Sequence, residues 1–122
     1  MDAFAKLPAL NSLYDDVTRL RVVRAHLREV TPAIKAGKLA KARKSFEEFA
    51  DNWDSIEDLI KQRSGEAYVA IEKGMIDIEN ALMPEKPDFD KVNTLVADVM
   101  TQYNAQLAEV VKEAAARAKA QN

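Results

Sequence analysis

Apolar residues recur at every third or fourth position along most of this chain, the spacing that lines one face of a helix, and the pattern separates into four runs. The first holds Leu13, Val17, Leu20, Val23, Leu27, Val30 and Ile34, with Asn11 or Ser12 placed to cap its start. Thr31-Pro32 interrupts it. A proline inside a helix removes a backbone hydrogen bond and clashes with the preceding turn, and the apolar phase survives across it, so a kink is expected near Pro32. Gly37 ends the element, with Lys35 and Lys38 near the negative end of its dipole. The second run, residues 39–62, turns Phe46, Phe49, Trp53, Ile56 and Ile60 inward and sets Glu47, Asp51, Asp54 and Asp58 on another face.

The third run, residues 66–83, carries Tyr68, Ile71, Met75, Ile78 and Leu82. Gly74 lies inside it at a cost of about 1 kcal/mol against alanine, which marks it as a point of close approach by a neighbouring helix. Pro84-Glu85-Lys86-Pro87 reads as a loop, and Asp88 as the cap of a last helix with Phe89, Val92, Leu95, Val96, Val99, Tyr103, Leu107 and Val110 turned inward. Residues 1–9, which include Pro8, read as a loose lead-in, and residues 112–122 as a helical tail that projects and frays. Four amphipathic segments joined by short turns predict an all-α fold. They give one antiparallel up-down-up-down four-helix bundle, a single domain over residues 1–122 with helix 1 kinked near Pro32.

The dipeptide Ile-Glu occurs at 56–57, 71–72 and 78–79, and each glutamate borders the apolar seam beside it. Folding back at Ser64-Gly65 brings Glu57 level with Glu72. Two carboxylates at one height repel unless a cation, a donor or a shared proton stands between them. Folding about Gly37 and Lys86 makes Arg21, Arg24, Gln102 and Tyr103 the side chains best placed to meet them, which predicts a polar layer fixing helix register. The alternative is a cation held by Glu57, Glu72 and Glu79, since carboxylates suit hard metal ions.

Composition narrows the picture. The chain has 122 residues, 48% hydrophobic and 31% charged, enough for one core, and only three glycines and four prolines, too few for a turn-rich β fold. Without cysteine there is neither a disulfide frame nor a thiolate metal site. The net charge of -2 hides an asymmetry: residues 18–44 hold nine basic side chains against Glu29 alone, and residues 45–90 hold thirteen acidic against four basic. The simplest account lays helix 1 against helices 2 and 3 with opposed charges. A nucleic-acid surface on Arg19, Arg21, Arg24, Arg28, Lys35, Lys38, Lys41, Arg43 and Lys44 is disfavoured, because the acidic half repels phosphates and no aromatic residue interleaves the basic ones.

Catalytic chemistry finds little footing. There is no Gly-x-Ser-x-Gly, no phosphate-cradling glycine loop and no serine beside the single histidine. A di-iron bundle wants Glu-x-x-His on two helices, and His26 has Val23 three residues before it. No apolar run reaches the ~20 residues that span a bilayer, and no secretory signal opens the sequence. The chain as it stands reads as cytoplasmic, or as periplasmic if a signal has been removed.

One family comparison bears on this. The run from Ala36-Gly37-Lys38 to Ala42, then Phe46, Phe49, Trp53-Asp54-Ser55-Ile56-Glu57, Ser64-Gly65-Glu66-Ala67-Tyr68 and Ile71-Glu72, resembles helical extracytoplasmic segments of high-affinity iron permeases and imelysin-like iron-uptake proteins. The resemblance covers residues 33–103. It implies a periplasmic bundle associated with metal import, with Glu57 and Glu72 at the matching glutamates. The reading that emerges is a non-enzymatic helical binding or interaction module with a protein partner, homo-oligomers being compatible with it. The alternative is a carboxylate-based, iron-type metal-binding accessory domain.

Overall fold

The computed structural model describes residues 2–121, with side chains placed for 12–120. The fold is all-α, and no strand occurs among the described residues. Its elements are α1 (Asp2–Arg28), α2 (Val30–Lys35), α3 (Leu39–Trp53), α4 (Glu57–Lys61), α5 (Gly65–Leu82) and α6 (Phe89–Gln121). The backbone is helical from Asp2, so α1 runs through Asn11 and Ser12, which do not cap it. Of the expected lead-in over 1–9, Met1 and the side chains lie outside the described residues; the backbone from Asp2 continues the helix.

The interruption predicted near Pro32 falls at Glu29. Pro32 has no N–H to offer the Arg28 carbonyl four residues back, and the Glu29 N–H turns to His26 O at 3.3 Å, leaving a one-residue break between α1 and α2. Helical dihedrals persist at Glu29 and Val30 is fully buried, so the apolar phase does continue across the break. Gly37 closes α2 with a φ of +73°, a conformation glycine adopts without penalty.

The second run breaks where an unbroken helix was expected. Ser55 bonds Asn52 O twice, through its Oγ at 2.7 Å and its N–H at 3.1 Å, and the Ile56 N–H reaches Trp53 O at 3.0 Å. These bonds tighten the chain into a turn that separates α3 from α4. Arg19 clamps the turn by donating from Nη2 to Ser55 O. Ile56 and Ile60 stay fully buried, so the turn preserves the inward phase while swinging α4 onto α5. Ser64 caps α5 by accepting from Ala67 N at 3.1 Å, and Asp88 Oδ1 accepts from Lys91 N at 3.1 Å ahead of α6.

The core joins Leu20, Leu27 and Val30 to Phe49, Trp53, Ile71, Ile78, Val99 and Tyr103. Phe49, Trp53 and Tyr103 meet at ring-centroid distances of 6.0 to 6.4 Å, and Tyr68 stacks on Trp53 at 6.3 Å. Tyr103 donates its hydroxyl to Leu20 O, and burial pushes its phenol far above the ordinary value. Gly74 is the predicted close approach: a Cβ there would stand 2.4 Å from Val99 Cγ2. Packing on α6 extends to Ala114 and to Glu113, which pairs with Arg63 at 3.0 Å. Phe89, expected to face inward, is 43% exposed as the first residue of α6.

Candidate functional site

The α3–α4 turn sets the local geometry. By leaning α4 on α5 it brings half-buried Glu57 beside half-buried Glu72, the relationship expected from the fold-back at Ser64-Gly65. Burial first, then the negative charges of Glu72, Asp54 and Asp58, raise the Glu57 carboxyl above its ordinary value, and a hydrogen bond shared with Glu72 adds to the effect. Trp53 Nε1 donates to Glu72 Oε1 at 2.9 Å. The Tyr68 phenol is raised chiefly by its hydrogen bond to Glu72, and Lys61 Nζ stands 5.2 Å from the centre of the Tyr68 ring. The two carboxyl groups thus stand close enough to repel, and the Trp53 indole supplies the donor that reaches Glu72.

The expected partners lie elsewhere. Arg24 Nη1 donates to Asn104 Oδ1 at 3.0 Å, and Tyr103 turns its hydroxyl to Leu20. Arg21 is exposed, and exposed Gln102 lines a separate hollow with Ala70, Gly74 and Val99. Folding about Gly37 and Lys86 sets the height of each side chain but not the flank it faces, and the side chains at the pair are Trp53 at the end of α3 and Tyr68 on α5. The spacing places Trp53 in the core, and a buried indole N–H usually finds an acceptor, which is the signal that points to a polar partner such as Glu72.

Glu79 stands two helical turns from Glu72 and does not join the pair. Among the described residues no group of three or more His, Asp or Glu side chains is arranged to hold a metal ion, so the Glu57, Glu72, Glu79 set is not assembled. His26 is half-buried and not merely superficial: its Nδ1 lies 3.2 Å from Glu48 Oε2. Glu29, three residues after His26, accepts instead from Ser45 Oγ at 3.3 Å.

Glu79 belongs to a different feature. Between α3 and α5 lies an open hollow of about 380 Å³ lined by Phe46, Ala50, Leu82 and Met83, with Glu47, Asp51 and Glu79 at its rim. Arg43 closes one end, donating from Nε to Leu82 O at 2.8 Å and from Nη2 to Pro84 O at 2.7 Å, where its charge also meets the negative end of α5. Toward the other end α3 and α5 are drawn together by the Trp53–Glu72 bond. From Met83 the apolar surface continues along the outside of α5 through Ile76 and Val69, which are 70, 56 and 63% exposed and recur at steps of seven.

The charge asymmetry therefore resolves differently from the expectation that helix 1 opposes helices 2 and 3. Among the described residues the one ion pair between α1 and an acid of α3 is His26 with Glu48, and Glu47 and Asp51 line the hollow on the α5 side. Arg21 and Arg28 remain exposed.

No described helix is long and apolar enough to cross a membrane. No protein-family profile, curated protein or solved structure matches this chain.

Proposed function

We propose that this chain is a non-enzymatic helical interaction module that seats a helix of another polypeptide along the open seam between α3 and α5. The proposal includes its architecture, an up-down-up-down four-helix bundle whose staves are α1 with α2, α3 with α4, α5 and α6. Pairs running in opposite order support that topology. Arg19, His26 and Glu29 meet Ser55, Glu48 and Ser45; Arg43 and Trp53 meet Leu82 and Glu72; Arg63 and Gly74 meet Glu113 and Val99.

The observation that carries the docking reading is the seam itself. Met83, Ile76 and Val69 put large apolar side chains into solvent at a seven-residue step, beside a hollow whose lining mixes Phe46, Ala50 and Leu82 with Glu47, Asp51 and Glu79. A helix laid along α5 covers such a stripe with its own side chains at i, i+3, i+4 and i+7. The acids at the rim favour a basic guest.

The test is an amide NMR titration with designed amphipathic helical peptides that share one apolar face and carry lysine, glutamine or glutamate on the other. Binding of any of them shifts the amides of Ala50, Ile76, Leu82 and Met83. Shifts absent from that face for all three peptides, or concentrated on the outer face of α6, end the reading.

A further inference from the structure

We propose that the strip where α1 meets α6 is a second docking face, one that takes an acidic helical segment of a partner protein through Arg21, Arg24 and Arg28. It uses residues apart from the α3/α5 seam and stands independently of that reading. The three arginines are spaced three and four apart, which sets them on one flank of α1 over about 10 Å of its length. Arg24 shows which flank it is. Its Nη1 donates to Asn104 Oδ1 at 3.0 Å, so the row borders α6. Arg21 and Arg28 are exposed, and Arg24 is half-buried between them.

What the row lacks is a carboxylate. None of the ion pairs among the described residues includes Arg21, Arg24 or Arg28. Arg24 Nε is buried without a hydrogen-bond partner, and burial, then the positive charges of Arg28 and Arg21, hold its guanidinium below the ordinary arginine value. The neighbouring acids turn elsewhere. Glu29 follows Arg28 by one residue, about 100° around the helix, and accepts from Ser45 Oγ on α3. Asp15 precedes Arg21 by six residues, which places it about 120° around α1 and ~9 Å along it, and Asp16 pairs with Arg19 at 4.0 Å. On α6, Asp98 lines the hollow shared with α5, and Glu109 lines the one shared with Arg63.

The α6 side of the strip is neutral. Ala97 and Ala108 fall on the flank of α6 that carries Asn104, and both are exposed, so a guest backbone can come close. Three positive groups strung along an axis fit a guest whose charges have the same spacing, and glutamates at i, i+4 and i+7 of a helix do. Each guanidinium can take a carboxylate through two parallel hydrogen bonds. A single phosphate spans only part of such a row. A nucleic-acid strand finds no aromatic residue between the arginines to stack on, and meets a chain of net charge -2.

The test is an amide NMR titration of the whole chain with an alanine-based helical peptide carrying glutamates at i, i+4 and i+7. Its lysine twin, inorganic phosphate and a short oligothymidylate are titrated in parallel. The glutamate peptide is expected to shift the amides of Arg21, Arg24, Arg28, Asn104 and Ala108 to saturation, and to bind more weakly as salt rises. The lysine twin is expected to leave them in place. Arg21→Gln with Arg28→Gln changes two exposed positions, and circular dichroism confirms that the variant folds. Its affinity for the glutamate peptide is expected to fall about fivefold or more.

No shift of these amides by the glutamate peptide overturns the proposal, as does an affinity unchanged in the double variant or an equal response to the lysine twin. Tighter saturation of the same amides by phosphate or by oligothymidylate also overturns it, and assigns the strip to a small anion or to nucleic acid instead.

Discussion

Trp53 donates its indole N–H to Glu72 across the α3/α5 seam at 2.9 Å, and this bond joins the largest fully buried side chain of the core to one member of the carboxyl pair. Trp53→Phe removes the donor and leaves space in a core that cannot close fully around it. The expected loss is about 2–4 kcal/mol of stability. Glu72→Gln keeps an oxygen to accept the bond and relieves repulsion from Glu57, so its change is expected to stay within about 1 kcal/mol. Urea unfolding followed by circular dichroism separates the two, provided the m-value is unchanged. A larger loss for Glu72→Gln than for Trp53→Phe would contradict this assignment.

The raised Glu57 carboxyl makes stability depend on pH with a definite sign. Between the ordinary glutamate value of 4.5 and the higher folded value, the native chain holds more protons at this position than the unfolded chain. This contribution therefore falls as pH rises through that window. Glu57→Gln removes the dependence. Relative to the native protein the variant gains stability as pH rises from the ordinary glutamate value of 4.5 through the higher folded value, and above it holds a constant advantage. Parallel pH–stability curves for the two proteins would show that Glu57 is not the group responsible.

Gly74 and Val99 form a coupled contact. An alanine Cβ at 74 would lie 2.4 Å from Val99 Cγ2, and a β-branched side chain has few rotamers with which to move away. Overpacking costs about 1–3 kcal/mol, against about 1 kcal/mol of helix propensity regained. The net expectation for Gly74→Ala is a loss of about 1 kcal/mol. In a cycle with Val99→Ala, the alanine at 74 becomes favourable, giving a coupling on the order of 1–2 kcal/mol. Additive single effects would rule out the contact.

The carboxyl pair is predicted not to act as a metal centre. Glu72 already accepts from Trp53, and Glu79 stands apart over the Arg43 hollow. Calorimetric titration with ferric, ferrous or manganous ions is expected to give no saturable heat that Glu57→Gln with Glu72→Gln abolishes. Stoichiometric binding lost in that double variant would reverse the conclusion and revive the iron-type reading.

Much of this molecule was legible in one dimension. Helical periodicity is a local property, and it named the inward residues from Leu13 to Val110, the cap at Asp88, the close approach at Gly74 and the levelling of Glu57 with Glu72. Phe89 escaped because a residue at the first position of a helix can keep the apolar phase and still lie beyond its neighbours. The turn at 54–56 escaped because Asn52 and Ser55 break the backbone ladder with bonds that compete closely with helix, and Arg19, distant in sequence, holds the result. Spacing along one helix states which residues turn inward; it does not state which flank of that helix meets which neighbour. That choice depends on how the helices rotate against one another to fill a common interior. Only the tertiary structure could therefore send Trp53 to Glu72, Arg24 to Asn104, and Glu47 and Asp51 of α3 to the side that faces α5.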